Sequence, residues 1–122
     1  MKKSLVRMVG LLLFMGGKAA NGDVLSEESF IGRVVDVKAG DRYVILWNKR
    51  PVVFQSAQAR CWKGARGQEA LRQMRDDIHL QSVLVTPLSQ VSENVYLANI
   101  RRINGEPVVQ PLIENGLARS LE

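Results

Sequence analysis

Between Gly32 and Trp47 the chain alternates apolar and polar side chains in two β-branched runs, Gly32–Lys38 and Arg42–Trp47, on either side of Ala39-Gly40-Asp41. A period of two belongs to a half-buried strand. Glycine adopts φ > 0 without steric cost and aspartate tolerates turn geometry, so the three central residues predict a hairpin. The first strand extends back to Phe30, giving Phe30–Lys38 and then Arg42–Trp47. Asn48-Lys49-Arg50-Pro51 is predicted as a turn, because proline brings no N–H to a ladder. Val52–Gln58 alternates as a third strand, and Ala59–Ala65 reads as a basic loop holding Trp62. From Arg66 the period changes. Gly67, Ala70, Leu71, Met74 and Ile78 recur at steps of three and four, which predicts a helix over Gly67–Ile78. His79, the sole histidine, falls at its end.

Ser82–Thr86 is the fourth predicted strand, Pro87–Glu93 a polar connection, and Asn94–Ile103 the fifth strand. Asn104-Gly105 is a strong turn signal, leading into a short return strand, Glu106–Val109. A second helix follows, with Pro111 in its first turn, where a missing N–H costs nothing, and Gly116 at its C-terminal cap. Leu112, Ile113 and Leu117 form its apolar face. The order β-β-β-α-β-β-α with short strands predicts an α+β, mainly β domain: a five-stranded OB-fold-like barrel with two helices, whose closure removes exposed sheet edges.

The first twenty residues follow a different pattern. Lys2, Lys3 and Arg7 precede the apolar run Met8–Gly17, and small residues follow at Gly17-Lys18-Ala19 and Ala20-Asn21-Gly22. That is the layout of a secretory signal peptide over residues 1–20, the run being much shorter than the roughly 20 residues of a membrane span. Lys18 directly after the run leaves an uncleaved anchor as the alternative, and no cysteine near the cleavage positions suggests a lipoprotein. Residues 21–29 are polar and read as a flexible lead-in to a domain over 30–122. The expectation is an exported protein, periplasmic or secreted, with no stable membrane span.

Removing that leader changes the charge picture. Residues 1–19 hold Lys2, Lys3, Arg7 and Lys18 and no acid, so cleavage there lowers the net charge from +5 to +1. What remains is unevenly placed. Arg33 to Arg75 carries ten basic residues against Asp36, Asp41 and Glu69, whereas residues 20–32 and 76–122 are each net −3. A basic middle of this kind meets phosphates or an acidic partner, or is ordinary solvated charge. Cys61 is the one cysteine, so no internal disulfide forms. Two readings of it stand: an inert buried thiol, or a reactive thiol whose pKa is lowered by basic neighbours.

The order of these residues resembles the thermonuclease, or staphylococcal nuclease-like, domain family. The family pattern G-x-V-x-x-V-x-D-G-D-T aligns with Gly32–Arg42. Its R-L-x-x-I-D-x-P-E aligns with Val53–Cys61, and its helix start G-x-x-A with Gly67-Gln68-Glu69-Ala70. The family's D-x-Y-G-R ends on Asn94-Val95, and its final G-x-x-V-N-x-x-L-V-x-x-G-L-A aligns with Gly105–Ala118. The likeness spans about residues 31–119. It implies an OB-type barrel and, in an active member, a calcium ion held by carboxylates of the first turn and third strand. It also implies a glutamate that orients water and two arginines that neutralise the phosphate, since a hard cation needs several oxygens and phosphoryl transfer needs clustered positive charge.

At those positions this chain carries Ala39, Gln58, Cys61, Val53 and Val95, and only Asp41 is kept. One carboxylate supplies at most two of the roughly six to eight oxygens calcium takes. No catalytic residue is therefore assigned, Asp41 is the one candidate metal ligand, and no cofactor is expected unless a weak, rearranged, Ca²⁺-dependent nuclease survives. Arg60, Trp62, Lys63 and Arg66 form the second candidate set: an aromatic platform beside cations is how barrels of this type hold single strands. Arg101-Arg102 either add to it or blunt a strand edge. The sequence thus predicts an exported, thermonuclease-like, non-catalytic binding or accessory module. Its expected partner is single-stranded nucleic acid, or a protein of the envelope or of a secretion system.

Overall fold

The computed structural model describes residues 28–122; the predicted signal peptide and residues 21–27 of the lead-in lie outside them. The elements are β1 (Phe30–Ala39), β2 (Arg42–Trp47), β3 (Arg50–Ser56), β4 (Ala59–Cys61), α1 (Ala65–Ile78), β5 (Ser82–Ser92), β6 (Val95–Arg101), α2 (Gln110–Glu114) and β7 (Ala118–Ser120). Five strands close into a barrel in the order β1-β2-β3-β6-β5, while β4 and β7 pair as a separate ribbon. Strands occupy 51% of the described residues and helices 20%, so the domain is α+β, mainly β. The contact of β3 with β6 is parallel and the other barrel contacts are antiparallel. Among the described residues no helix is long and apolar enough to cross a membrane.

Alternation fills the barrel. Val34, Val37, Tyr43, Ile45, Phe54, Val83, Val85, Ala98 and Ile100 are buried within one apolar cluster, which Ala70, Met74 and Ile78 of α1 and Leu112 of α2 complete. At the end of the barrel where β2 finishes, Trp47 stacks on Phe30 at 5.2 Å and meets Tyr96 edge-on at 5.1 Å, with Phe54 beneath. The other end, where β1 turns into β2, is covered by the helices.

Four stretches differ from the sequence expectation. The second turn is only Asn48-Lys49, both at positive φ (54° and 68°), so β3 begins at Arg50 and includes Pro51. Proline is tolerated because Leu46↔Pro51 lies one step from the hairpin end, so the missing N–H faces away from β2, and the pairing with β6 starts only at Val53. Residues 59–61, expected in a loop, form β4 because the distant β7 supplies a partner. The predicted polar connection Pro87–Glu93 instead continues β5 to Ser92, with irregularities at Pro87/Ser89 and Gln90/Ser92 that accommodate the proline. The return strand Glu106–Val109 reduces to one bridge, Arg101↔Pro107. The second helix keeps its expected signals: Pro111 lies in the first turn and Gly116 follows at φ 74°.

Candidate functional site

The first turn, the β4 ribbon and the start of α1 enclose an open cleft of about 590 Å³. Its shape begins with β1. Two register shifts against β2, between Val34 and Asp36 and between Val37 and Ala39, coil that ribbon and aim the Gly40-Asp41 turn over the helices. Gly40 is not in the left-handed region that the sequence invites for a glycine turn. Its requirement is proximity. A Cβ there would stand 2.7 Å from Cys61 Sγ, 2.8 Å from Ala70 Cβ and 2.9 Å from Leu112 Cδ1. Four elements meet at that one missing methyl. The buried Tyr43 hydroxyl donates to the Gly40 carbonyl at 2.5 Å and fixes the turn from inside the barrel.

Asp41, the candidate metal ligand, is 7% exposed, and its Oδ2 and its carbonyl oxygen both accept hydrogen bonds. Its carboxylate Oδ2 accepts the Cys61 N–H at 3.1 Å. Its carbonyl accepts the Ser56 N–H at 2.8 Å and the Gln55 amide at 3.1 Å. Gln55 in turn accepts from Arg42 Nε at 2.9 Å. Asp41 therefore stitches the first turn to β3 and β4. Among the described residues no three of His, Cys, Asp and Glu gather in one place, and the donors around Asp41 are N–H groups rather than oxygens. The residues present do not fit a calcium ion.

We expect Asp41→Ala, which strands the Cys61 N–H, to lower the unfolding free energy by about 1–3 kcal/mol in urea titration. Asp41→Asn keeps an acceptor oxygen and should cost clearly less. A metal-ligand role would instead appear as calcium-dependent stabilisation lost in both variants.

The other positions singled out by the resemblance do not converge. Ala39 and Cys61 line the cleft. Val53 and Val95 face each other across β3 and β6, outside the residues lining it. Gln58, 2% exposed, lies in the core, where its Oε1 accepts the Ile100 N–H at 3.1 Å and its Nε2 has no partner. The second set behaves differently. Arg60, Trp62 and Lys63 all line the cleft, and the Arg66 guanidinium lies 4.9 Å over the Trp62 ring. Trp62 is 38% exposed at the mouth. Its carbonyl stands 2.5 Å from where a Cβ on Gly67 would be, so the first turn of α1 packs directly under the Trp62 backbone. Arg101 and Arg102 are elsewhere: Arg102 pairs with Asp77 and Glu106, and Arg101 donates to the Gly105 carbonyl.

Lys38 and Arg42 also line the cleft and were not among the sequence candidates. Their signal was their place immediately before and after the Ala39-Gly40-Asp41 turn, which the bulged ribbon carries to the cleft. Asp41 is the one acid lining it.

The reactive reading of Cys61 is overturned. Partial burial, then the Asp41 carboxylate, push its thiol from the ordinary 9.0 up to about 12, and Arg60 offsets this only in part. At neutral pH the thiol carries about a thousandfold less thiolate than a free cysteine, and its alkylation by iodoacetamide should be slowed accordingly. Because the folded value lies above the ordinary one, Cys61 contributes stability that is complete below about pH 9 and disappears as the pH rises toward 12. Tyr43, pushed well above 10.0 by burial and then by Cys61 and Asp41, acts in the same direction. Melting temperature should fall above about pH 9, less steeply in Cys61→Ala. His79 caps the C-terminus of α1 on the exposed surface, as its position predicts.

No model of a known protein family matches this chain, and no curated protein matches it.

Proposed function

We propose that this domain binds single-stranded nucleic acid in the cleft beside the first turn and does not cleave it. The observation that supports this is the gathering of Lys38, Arg42, Arg60 and Lys63 with Trp62 and its stacked Arg66 around one open cleft. Cations along a groove follow a phosphate backbone, and an indole at its mouth offers a platform to any base. Asp41 Oδ2 accepts the Cys61 N–H, and among the described residues no cluster of carboxylates gathers to hold a catalytic cation. The reading extends the resemblance: a thermonuclease-like scaffold that carries binding without hydrolysis. The basic n-region and apolar run within residues 1–20 support reading such a module as exported, periplasmic or secreted.

Fluorescence anisotropy with a labelled oligothymidylate of about twelve nucleotides tests it directly. Saturable binding at about 50 mM salt, with the oligonucleotide intact after incubation in millimolar calcium, is the expected result. Absence of binding at that ionic strength removes the proposal in favour of a protein partner. Cleavage abolished by Asp41→Ala replaces it with the nuclease reading.

A further inference from the structure

The β4–β7 ribbon places two arginines where a stable protein gains nothing from them. Arg60 and Arg119 are cross-strand partners. The flanking bonds, Trp62 N–H to the Leu117 carbonyl and Leu121 N–H to the Gln58 carbonyl, make theirs a hydrogen-bonded pair, with Cα atoms about 5.5 Å apart. Directly opposed side chains leave a sheet on the same side. Here that side is solvent, because Ala59 and Ala118 take the buried one and both arginines are exposed. Among the described residues neither guanidinium has an ion-pair partner or a side-chain hydrogen bond.

Three other cations are ion-paired, whereas Arg33, Lys49, Arg50 and Lys63 have no ion pair among the described residues; what sets Arg60 and Arg119 apart is that they face each other. Arg72 is paired with Glu69 and Asp76, Arg102 with Asp77 and Glu106, and Lys38 with Asp36. Like charges facing each other across a ribbon are destabilising, and a ribbon of three residues per strand has little packing to offset this. Two guanidinium forks carried side by side on one face can, however, bracket one tetrahedral oxyanion, each fork giving paired N–H donors. Arg60 also lines the cleft, and Trp62 lies two residues further along the same chain.

We propose that Arg60 and Arg119 together clamp one phosphodiester group of the single strand, extending the binding track from the cleft onto the β4–β7 ribbon. This rests on the nucleic-acid reading above and adds to it a residue, Arg119, that lies outside the cleft lining and far in sequence from every other cation of the site. In the free protein the pair repels itself; the bound phosphate relieves that repulsion.

The test uses the full domain, the same labelled oligothymidylate and three variants: Arg119→Gln, Arg60→Gln and the double variant. Arg119→Gln should weaken binding about five- to tenfold at low salt and reduce the slope of log affinity against log salt by about 0.7, the share of one single-strand phosphate. The double variant should be less than twofold weaker than the more damaging single variant, because both side chains serve one anion. Without ligand, Arg119→Gln should melt about 2 °C above the original protein, a gain that shrinks with added salt. Wild-type affinity and slope in Arg119→Gln, beside weakened binding in Trp62→Ala, overturn the clamp and leave the nucleic-acid reading standing. Strictly multiplicative losses in the double variant overturn the shared-phosphate geometry. No binding by the unsubstituted protein overturns both.

Discussion

Gly40→Ala should lower the melting temperature by about 10–20 °C. The added Cβ would meet Cys61 Sγ, Ala70 Cβ and Leu112 Cδ1, each within 2.9 Å. None of these is the free end of a flexible side chain in open solvent. Ala70 is on α1, Leu112 is buried on α2, and Cys61 is held through its backbone by Asp41. Overpacking of this kind costs about 2–3 kcal/mol where neighbours cannot move apart, and about 4–8 °C of melting temperature is lost per kcal/mol in a domain of this size. The turn itself cannot retreat, since Tyr43 holds the Gly40 carbonyl from within the barrel. Cys61→Ala introduced together with Gly40→Ala removes one of the three contacts and should recover part of the loss. Calorimetry on the single and double variants measures both. Unchanged melting in Gly40→Ala would show that the helices do not close this end of the barrel as described.

The second large effect is on binding. If about four single-strand phosphates are neutralised, affinity should fall about fiftyfold between about 50 and 200 mM salt. Trp62→Ala should weaken binding by about 1–3 kcal/mol, roughly five- to 150-fold. The two effects separate because their physics differs. Stacking of a base on an indole is insensitive to salt, whereas release of counterions is not. Trp62→Ala should therefore shift the whole salt series downward and change its slope by no more than the one contact that Arg66, deprived of its ring, gives up. If Trp62 serves only to pack the mouth of the barrel, the same variant lowers melting temperature and leaves affinity alone. Asp41→Asn offers a control of opposite sign, since it removes the one negative charge lining the cleft and should strengthen anion binding.

The first turn joins both arguments. Its glycine seals the barrel against the helices, its aspartate ties β4 into place, and β4 then presents Arg60 and Trp62 to the cleft. An aspartate used in this way holds a binding surface in shape, and a single carboxylate supplies too few oxygens for a calcium ion.

Much of this was legible from local pattern. Alternation in Phe30–Trp47 and the three- and four-residue steps over Gly67–Ile78 define β1, β2 and α1 nearly to the residue, because each buries one face against a single core. Pro111 and Gly116 mark the second helix by backbone chemistry alone. Arg60, Trp62, Lys63 and Arg66 are close in sequence, and a strand followed directly by a helix keeps them close in space.

What tertiary structure alone decided has one physical cause: pairing over long sequence separation has no local signature. β4 is a strand only because β7, nearly sixty residues later, lies beside it, and so Arg119 meets Arg60. Pro87–Ser92 is extended only because β6 returns along it. The same holds for the single atoms that fix the chemistry. From composition Cys61 stands among cations, which lower a thiol pKa; in space its strongest charged neighbour is the Asp41 carboxylate, which raises it. Gly40 signals a turn in the sequence, but its reason for being glycine is the three side chains that arrive from elsewhere to touch it.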